Sequence, residues 1–247
     1  MKPEVEIAPH PSPNHGERRL PVTMLVLHYT GMETGEAALR RLCDPAAEVS
    51  AHYLIDEVGR VHGLVAEERR AWHAGAGSWR GCGDVNSASI GIELVNPGHE
   101  FGYRPFPEAQ MAALEALCLG ILARHAIVPR NVVGHSDIAP QRKQDPGELF
   151  DWPRLAAAGI GLFPPPATAP GRDLGPGDGG EDVERFQAAL ATWGYGLTAD
   201  GRYGPETQAV VTALQRHWRP ALCDGRADQE TRAMLNGLLA AAQHGAR

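Results

Sequence analysis

The sequence has no apolar run able to cross a bilayer. The stretch Ala109–Ala123 is interrupted by Glu115 and falls short of the ~20 residues a spanning helix needs. It has no excess of positive charge either. Lys and Arg total 23 against 30 Asp and Glu, a formal charge of −7. Phosphate binding needs clustered basic side chains, so nucleic acid is excluded as a first partner. Paired cysteines are missing too: Cys43, Cys82, Cys118 and Cys223 form no C-x-x-C. They read as reduced thiols of a cytosolic protein rather than a disulfide framework. The opening residues, Met-Lys-Pro-Glu-Val-Glu-Ile-Ala-Pro-His-Pro, lack the basic start and apolar core of a secretory leader, and no nearby Cys offers a lipid site. Cytoplasm is therefore expected, with periplasm the alternative if a leader was removed ahead of residue 1. A composition of 43% hydrophobic and 21% charged residues is that of a folded globular chain.

What is present divides unevenly. At 247 residues the chain is long for one domain, so one large or two unequal domains are expected. Between Pro164 and Gly180, ten of seventeen residues are Pro or Gly. Pro removes a backbone donor and Gly adds chain entropy, so a linker is expected there, extended at its Pro-rich start. We read three parts: residues 1–163, a linker 164–180, and residues 181–247.

The first part alternates strand and helix patterns. Thr23–His28 and Ser89–Val95 read as buried strands, and Val132–Val133 as a short one. Ala51–Ile55 and Val61–Val65 read as a hairpin turning at Glu57-Val58-Gly59-Arg60. Glu36–Leu42 reads as a short helix stopped before Asp44-Pro45. Pro107–Ala126 is the clearest helix, with Met111, Leu114, Cys118, Ile121 and Leu122 on one stripe. The expected fold is α/β (α+β), a central mixed β-sheet flanked by helices. The last part, Glu181–Gln243, reads as a small all-α domain. Its turns at Asp200-Gly201 and Asp224-Gly225 lie 24 residues apart, an internal duplication of a helix–turn unit.

Two imidazoles and a carboxylate suit Zn²⁺ and leave a fourth position for water, and His28, His135 and Asp145 offer that set. With eleven His in the chain, spacing alone does not single out this triple. Lys143 and Asp145 sit two apart before Pro146, which favours an extended segment and places both side chains on one side. A Lys beside a metal-bound carboxylate puts positive charge where an oxyanion would develop. Glu93 lies in an apolar strand between Ile92 and Leu94, either facing solvent or serving as a general base in a cleft.

The segment Gly134-His135-Ser136-Asp137-Ile138-Ala139-Pro140-x-Arg142-Lys143-x-Asp145-Pro146-Gly147, followed by Phe150-Asp151-Trp152, resembles the signature of zinc-dependent N-acetylmuramoyl-L-alanine amidases of the AmpD/AmiD type. Further blocks occur in that family's order: Val26-Leu27-His28-Tyr29-Thr30, Ser50-Ala51-His52-Tyr53-Leu54-Ile55, Ala71-Trp72-His73-Ala74-Gly75, and Asn86 with Ser89-Ile90-Gly91-Ile92-Glu93-Leu94. The resemblance covers about residues 20–160. It implies one zinc per chain held by His28, His135 and Asp145, with Glu93 and Lys143 as the catalytic pair. It also implies a substrate groove near Trp72, His73 and Asn86. His52 is read as structural, and Asp137 as holding its loop rather than binding metal. Asp200-Gly201-x-Tyr203-Gly204-Pro205-x-Thr207 resembles a helical peptidoglycan-binding module, with a degraded second copy at residues 224–231. The expected activity is hydrolysis of the amide between the lactyl group of N-acetylmuramic acid and L-alanine, in peptidoglycan or in muropeptides such as anhydro-muropeptides, by a monomer engaged in wall recycling. The alternatives are a non-catalytic peptidoglycan-recognition protein and a remodelling amidase acting on polymeric wall.

Overall fold

The computed structural model describes residues 5–244. The first four residues of the segment read for a leader, and the last three of the C-terminal part, lie outside them. In chain order the strands are β1 (Ile7–Pro9), β2 (His15–Glu17), β3 (Met24–Tyr29), β4 (Tyr53–Ile55), β5 (Val61–Gly63), β6 (Arg69–Ala71), β7 (Ser89–Leu94) and β8 (Val132–Gly134). The helices are α1 (Gly35–Cys43), α2 (Val85–Ala88), α3 (Gly98–Phe101), α4 (Glu108–Arg124), α5 (His135–Ile138), α6 (Trp152–Ala157), α7 (Glu181–Trp193), α8 (Pro205–Trp218) and α9 (Gln229–His244).

Six strands form a mixed sheet in the order β1-β5-β4-β7-β3-β8, with β4–β5 the antiparallel pair; β2 and β6 form a separate two-stranded ribbon. The β4–β5 hairpin turns where expected. Asp56 Oδ1 accepts from the backbone N–H of Val58 and Arg60, and Gly59 takes a positive φ.

Alternation along β3 and β7 decides what each face meets. Leu25, Leu27, Ile90, Ile92 and Leu94 pack against Met111, Leu114, Cys118 and Ile121 of α4. Met24 and Val26 face the other way, into a core shared with the C-terminal helices: Trp79, Val133 and Ile138 cluster with Trp193, Tyr195 and Leu214. His28 and Glu93 continue that second face, because each lies an even number of residues from Met24 or Ser89.

The segment 164–180 contains no helix or named strand, yet it is not free. Leu174 exchanges backbone hydrogen bonds with Ala227, and Gly180 N–H donates to Gly201 O. The duplication inside the helical part is carried by two glutamines. Gln187 Nε2 donates to Asp200, Arg202 O and Thr207 Oγ1, and its Oε1 accepts from Gly201 N–H. Gln215 repeats the pattern with Asp224, Arg226 O, Thr231 Oγ1 and Gly225 N–H. The four cysteines are free. Among the described residues no helix is long and apolar enough to cross a membrane.

Candidate metal centre

Three parallel strands end together at the site. In the β3–β7 pairing His28 stands opposite Glu93, and β8 pairs with β3 up to Gly134, directly before His135 opens α5. Clefts at the carboxyl ends of parallel strands are common ligand sites in open α/β sheets. Asp145 arrives from the loop after α5, which is tied back by Ser136 N–H donating to Asp145 O at 2.8 Å.

The ligand-type atoms converge. His28 Nδ1 lies 2.9 Å from His135 Nδ1, and both lie 3.0 Å from Asp145 Oδ2, with all three residues buried. The surrounding hydrogen bonds assign the tautomers. Ser89 Oγ donates to Val85 O at 2.6 Å, so toward His73 Nε2, 3.1 Å away, it can only accept. His73 therefore carries its proton on Nε2 and presents a bare Nδ1 to His28 Nε2 at 3.0 Å. His28 is then protonated on Nε2 and bare on Nδ1. His135 Nε2 faces Ala74 O at 3.0 Å and must donate to it, so in the neutral ring a metal ligand requires, its Nδ1 is bare as well. Two imidazole lone pairs and a carboxylate oxygen thus point at one another with no proton between them.

That arrangement is repulsive on its own and fits a cation. Two His and one Asp are a ligand set suited to zinc, and an acceptor behind each imidazole, here His73 Nδ1 and Ala74 O, is the usual way its orientation is fixed. Burial, then the neighbouring His135, pushes His28 down to about 4, so its imidazole is neutral, as a ligand must be.

Glu93 and Lys143 line the same open cavity, roughly 310 Å³, along with Tyr29, Trp72, His73, His135 and Asp145. Glu93 Oε2 is buried and has no hydrogen-bond partner. Burial and the Asp145 charge raise its pKa well above the ordinary carboxyl value, and Lys143 opposes them.

The groove residues expected from the sequence divide differently. Trp72 lines the cavity. His73 borders it, with Nδ1 facing His28 Nε2 at 3.0 Å and Nε2 facing Ser89 Oγ at 3.1 Å. The ring lies so flat on the sheet that a Cβ at Gly91 would come within 2.4 Å of it. Asn86 does not reach the cavity; its Oδ1 accepts from the backbone N–H of His73 and Ala74 and fixes that loop. His52 is fully buried with Nδ1 accepting from Gly91 N–H, in keeping with a structural role. Asp137 accepts from Gly134 N–H, and sequence reasoning gave no hint of its two further partners, Tyr195 and His217.

A mixed sheet carrying a His, His, Asp group that could hold a metal ion, beside a buried Glu oxygen without a partner, suits a hydrolase. Residues 18–148 match the N-acetylmuramoyl-L-alanine amidase family model, and residues 179–235 match one described as a peptidoglycan binding domain. The chain belongs to the N-acetylmuramoyl-L-alanine amidase family. It is 40% identical to N-acetylmuramoyl-L-alanine amidase AmiD of Escherichia coli K12, over 88% of this chain and 82% of that protein. It is 36% identical to 1,6-anhydro-N-acetylmuramyl-L-alanine amidase AmpD of Enterobacter cloacae, over 60% of this chain and 87% of that one. The structure of E. coli AmiD with the substrate anhydro-N-acetylmuramic acid-L-Ala-D-gamma-Glu-L-Lys superposes with a TM-score of 0.78, covering 89% of each chain at 40% identity. AMPDH3 from Pseudomonas aeruginosa, in complex with anhydromuramic pentapeptide, gives 0.73 at 33% identity over 92% of this chain and 93% of that chain.

Proposed function

We propose that this protein cleaves the amide between the lactyl group of N-acetylmuramic acid and L-alanine in soluble anhydro-muropeptides, as a cytoplasmic, monomeric enzyme of wall recycling. The observation that carries the reading is the convergence of His28 Nδ1, His135 Nδ1 and Asp145 Oδ2 at 2.9–3.0 Å from one another, in a cleft that Glu93 also lines. The substrate complexes of the AmiD and AMPDH3 relatives support the choice of ligand.

His28 Nδ1, His135 Nδ1 and Asp145 Oδ2 would hold one zinc ion. When bound, zinc supplies Lewis acidity, which polarises a carbonyl and makes water a competent nucleophile near neutral pH. The chain's own residues do the rest. Glu93 Oε2, with no donor of its own, takes a proton from the attacking water and returns it to the departing L-alanine nitrogen. Positive charge in the centre acts in the same direction as Lys143 and favours the ionised carboxylate that a base requires. Lys143, which has no ion-pair partner among the described residues, lies in the cavity wall where negative charge develops on the carbonyl oxygen. Trp72 offers an apolar surface to the substrate.

Incubating the zinc-loaded protein separately with soluble anhydro-muropeptides and with intact sacculi, and weighing the products by mass spectrometry, tests this. Intact peptides beginning with L-alanine, released from the soluble substrate, are the expected result. Release mainly from sacculi would instead make polymeric wall the substrate, and no release from either would overturn the enzymatic reading.

A further inference from the structure

Asp137 sits two residues beyond His135, in a four-residue helix too short to hold its own shape. Its carboxylate is buried, and three donors satisfy it. One is local: Gly134 N–H donates to Oδ2 at 2.8 Å, pinning the residue between β8 and the ligand His135. The other two come from the C-terminal helical region. Tyr195 O–H, just after α7, donates to Oδ1 at 2.9 Å, and His217 Nδ1–H, in α8, donates to Oδ2 at 2.7 Å.

Both remote donors are held as rigidly as the carboxylate. The His217 ring is stacked between two indoles, Trp152 at 3.6 Å and 18° and Trp218 at 3.4 Å and 3°. Tyr195 packs edge-on against Trp79, with ring centroids 5.2 Å apart. A polar group out of water is tolerated only with its hydrogen bonds intact, so losing either remote donor forces the turn to move or take up water. The residue that moves with it is His135, whose Nδ1 must point at Asp145 and His28.

We propose that Tyr195 and His217 are positioning residues for the metal centre, acting through Asp137 to hold α5 and the His135 lone pair in register. On this account the region resembling a wall-binding module is a working part of the metal site. The inference rests on the metal-centre reading but on no assumption about substrate.

The test uses the full-length chain with the substitutions Tyr195→Phe, His217→Phe, His217→Asn and, as a stability control in α9, Leu238→Ala. Zinc affinity is measured by chelator competition, and ligand geometry by the visible spectrum of the cobalt-substituted protein. Outer partners of metal sites are typically worth about 10–100-fold in affinity, and this one acts a bond further out. Tyr195→Phe and His217→Phe should therefore bind zinc about 10-fold more weakly, with an altered cobalt spectrum. His217→Asn, which keeps a donor near the Nδ1 position, should recover part of the affinity. Leu238→Ala should melt earlier yet keep the parent affinity and spectrum. Parent-like affinity and spectrum in both Phe variants, or an equal loss in Leu238→Ala, would overturn the proposal. Should His217→Phe fail to fold, Tyr195→Phe decides, since it removes a single oxygen. A parent protein that binds neither metal would sink the metal-centre reading itself, and the inference with it.

Discussion

On the proposed reading, Glu93 and the trio His28, His135 and Asp145 separate chemistry from metal binding. Asp145 supplies an anionic donor, so Asp145→Ala should abolish zinc loading, measured as metal content after dialysis. Glu93 is a wall residue with a free oxygen, so Glu93→Ala should keep zinc and lose about 10²–10⁴-fold in kcat. Undiminished turnover in Glu93→Ala would remove it from the mechanism. Ser89 makes a subtler prediction. Its hydroxyl fixes the His73 tautomer, which fixes that of His28, so Ser89→Ala should weaken zinc binding about 10-fold by chelator competition without unfolding the protein. His28, His135, Asp145, Glu93 and Lys143 were expected from their residue types and distinctive flanking motifs, and the structure gathers the first three and lines one cavity with Glu93, Lys143, His135 and Asp145. Ser89, and the contact of His73 with His28, could not be read from the sequence. A serine at the start of a strand advertises nothing until Val85 O is found beneath it.

Secondary structure was legible where a period had room to repeat. The six residues of β7 alternate Ser, Gly and Glu with Ile, Ile and Leu, and β3 is a continuous apolar run up to His28. Helix α4 is long enough for Met111, Leu114, Cys118 and Ile121 to form a stripe, whereas the pairing of His28 with Glu93 is given only by the strand register. The three-residue strands β1, β2 and β6 hold no readable alternation, and β1 contains a proline, tolerated because it pairs on one side only. Helix α5 is a single turn fixed by a buried carboxylate, which periodicity cannot reveal. In the helical part the repeated Asp-Gly turns were visible, whereas the glutamines that brace them lie at unequal distances upstream. Gln187→Ala and Gln215→Ala should each cost about 1–3 kcal/mol, since each strands a glycine N–H and a carbonyl. Hydrogen exchange should show the corresponding turn opening; unchanged protection of Gly201 in Gln187→Ala would count against the bracing role.

The molecule as a whole is knit across its parts, because the sheet face carrying His28 shares its core with α7 and α8. The buried groups predict how that assembly responds to acid. Burial lowers His52 from 6.5 to about 3, so the unfolded chain binds a proton there that the folded chain refuses. Stability from this site is complete above about pH 6.5 and is lost as pH falls toward 3. Glu67 adds to the loss lower down. Burial alone would raise it, but hydrogen bonds from Arg124, His125 and Tyr53 hold it at about 2, so its contribution disappears between pH 4.5 and 2. Melting temperature, followed from pH 8 to 3, should fall steadily below about pH 6.5, and a flat profile to pH 4 would contradict the assignment of His52 as buried and neutral.

The dependence of amide cleavage on the His28, His135 and Asp145 cluster is tested most directly by removing metal with a chelator, adding zinc back in measured steps, and following peptide release from anhydro-muropeptides. Activity that vanishes on chelation and returns in full at one zinc per chain is the predicted result. Undiminished peptide release from protein shown to be free of metal would contradict it.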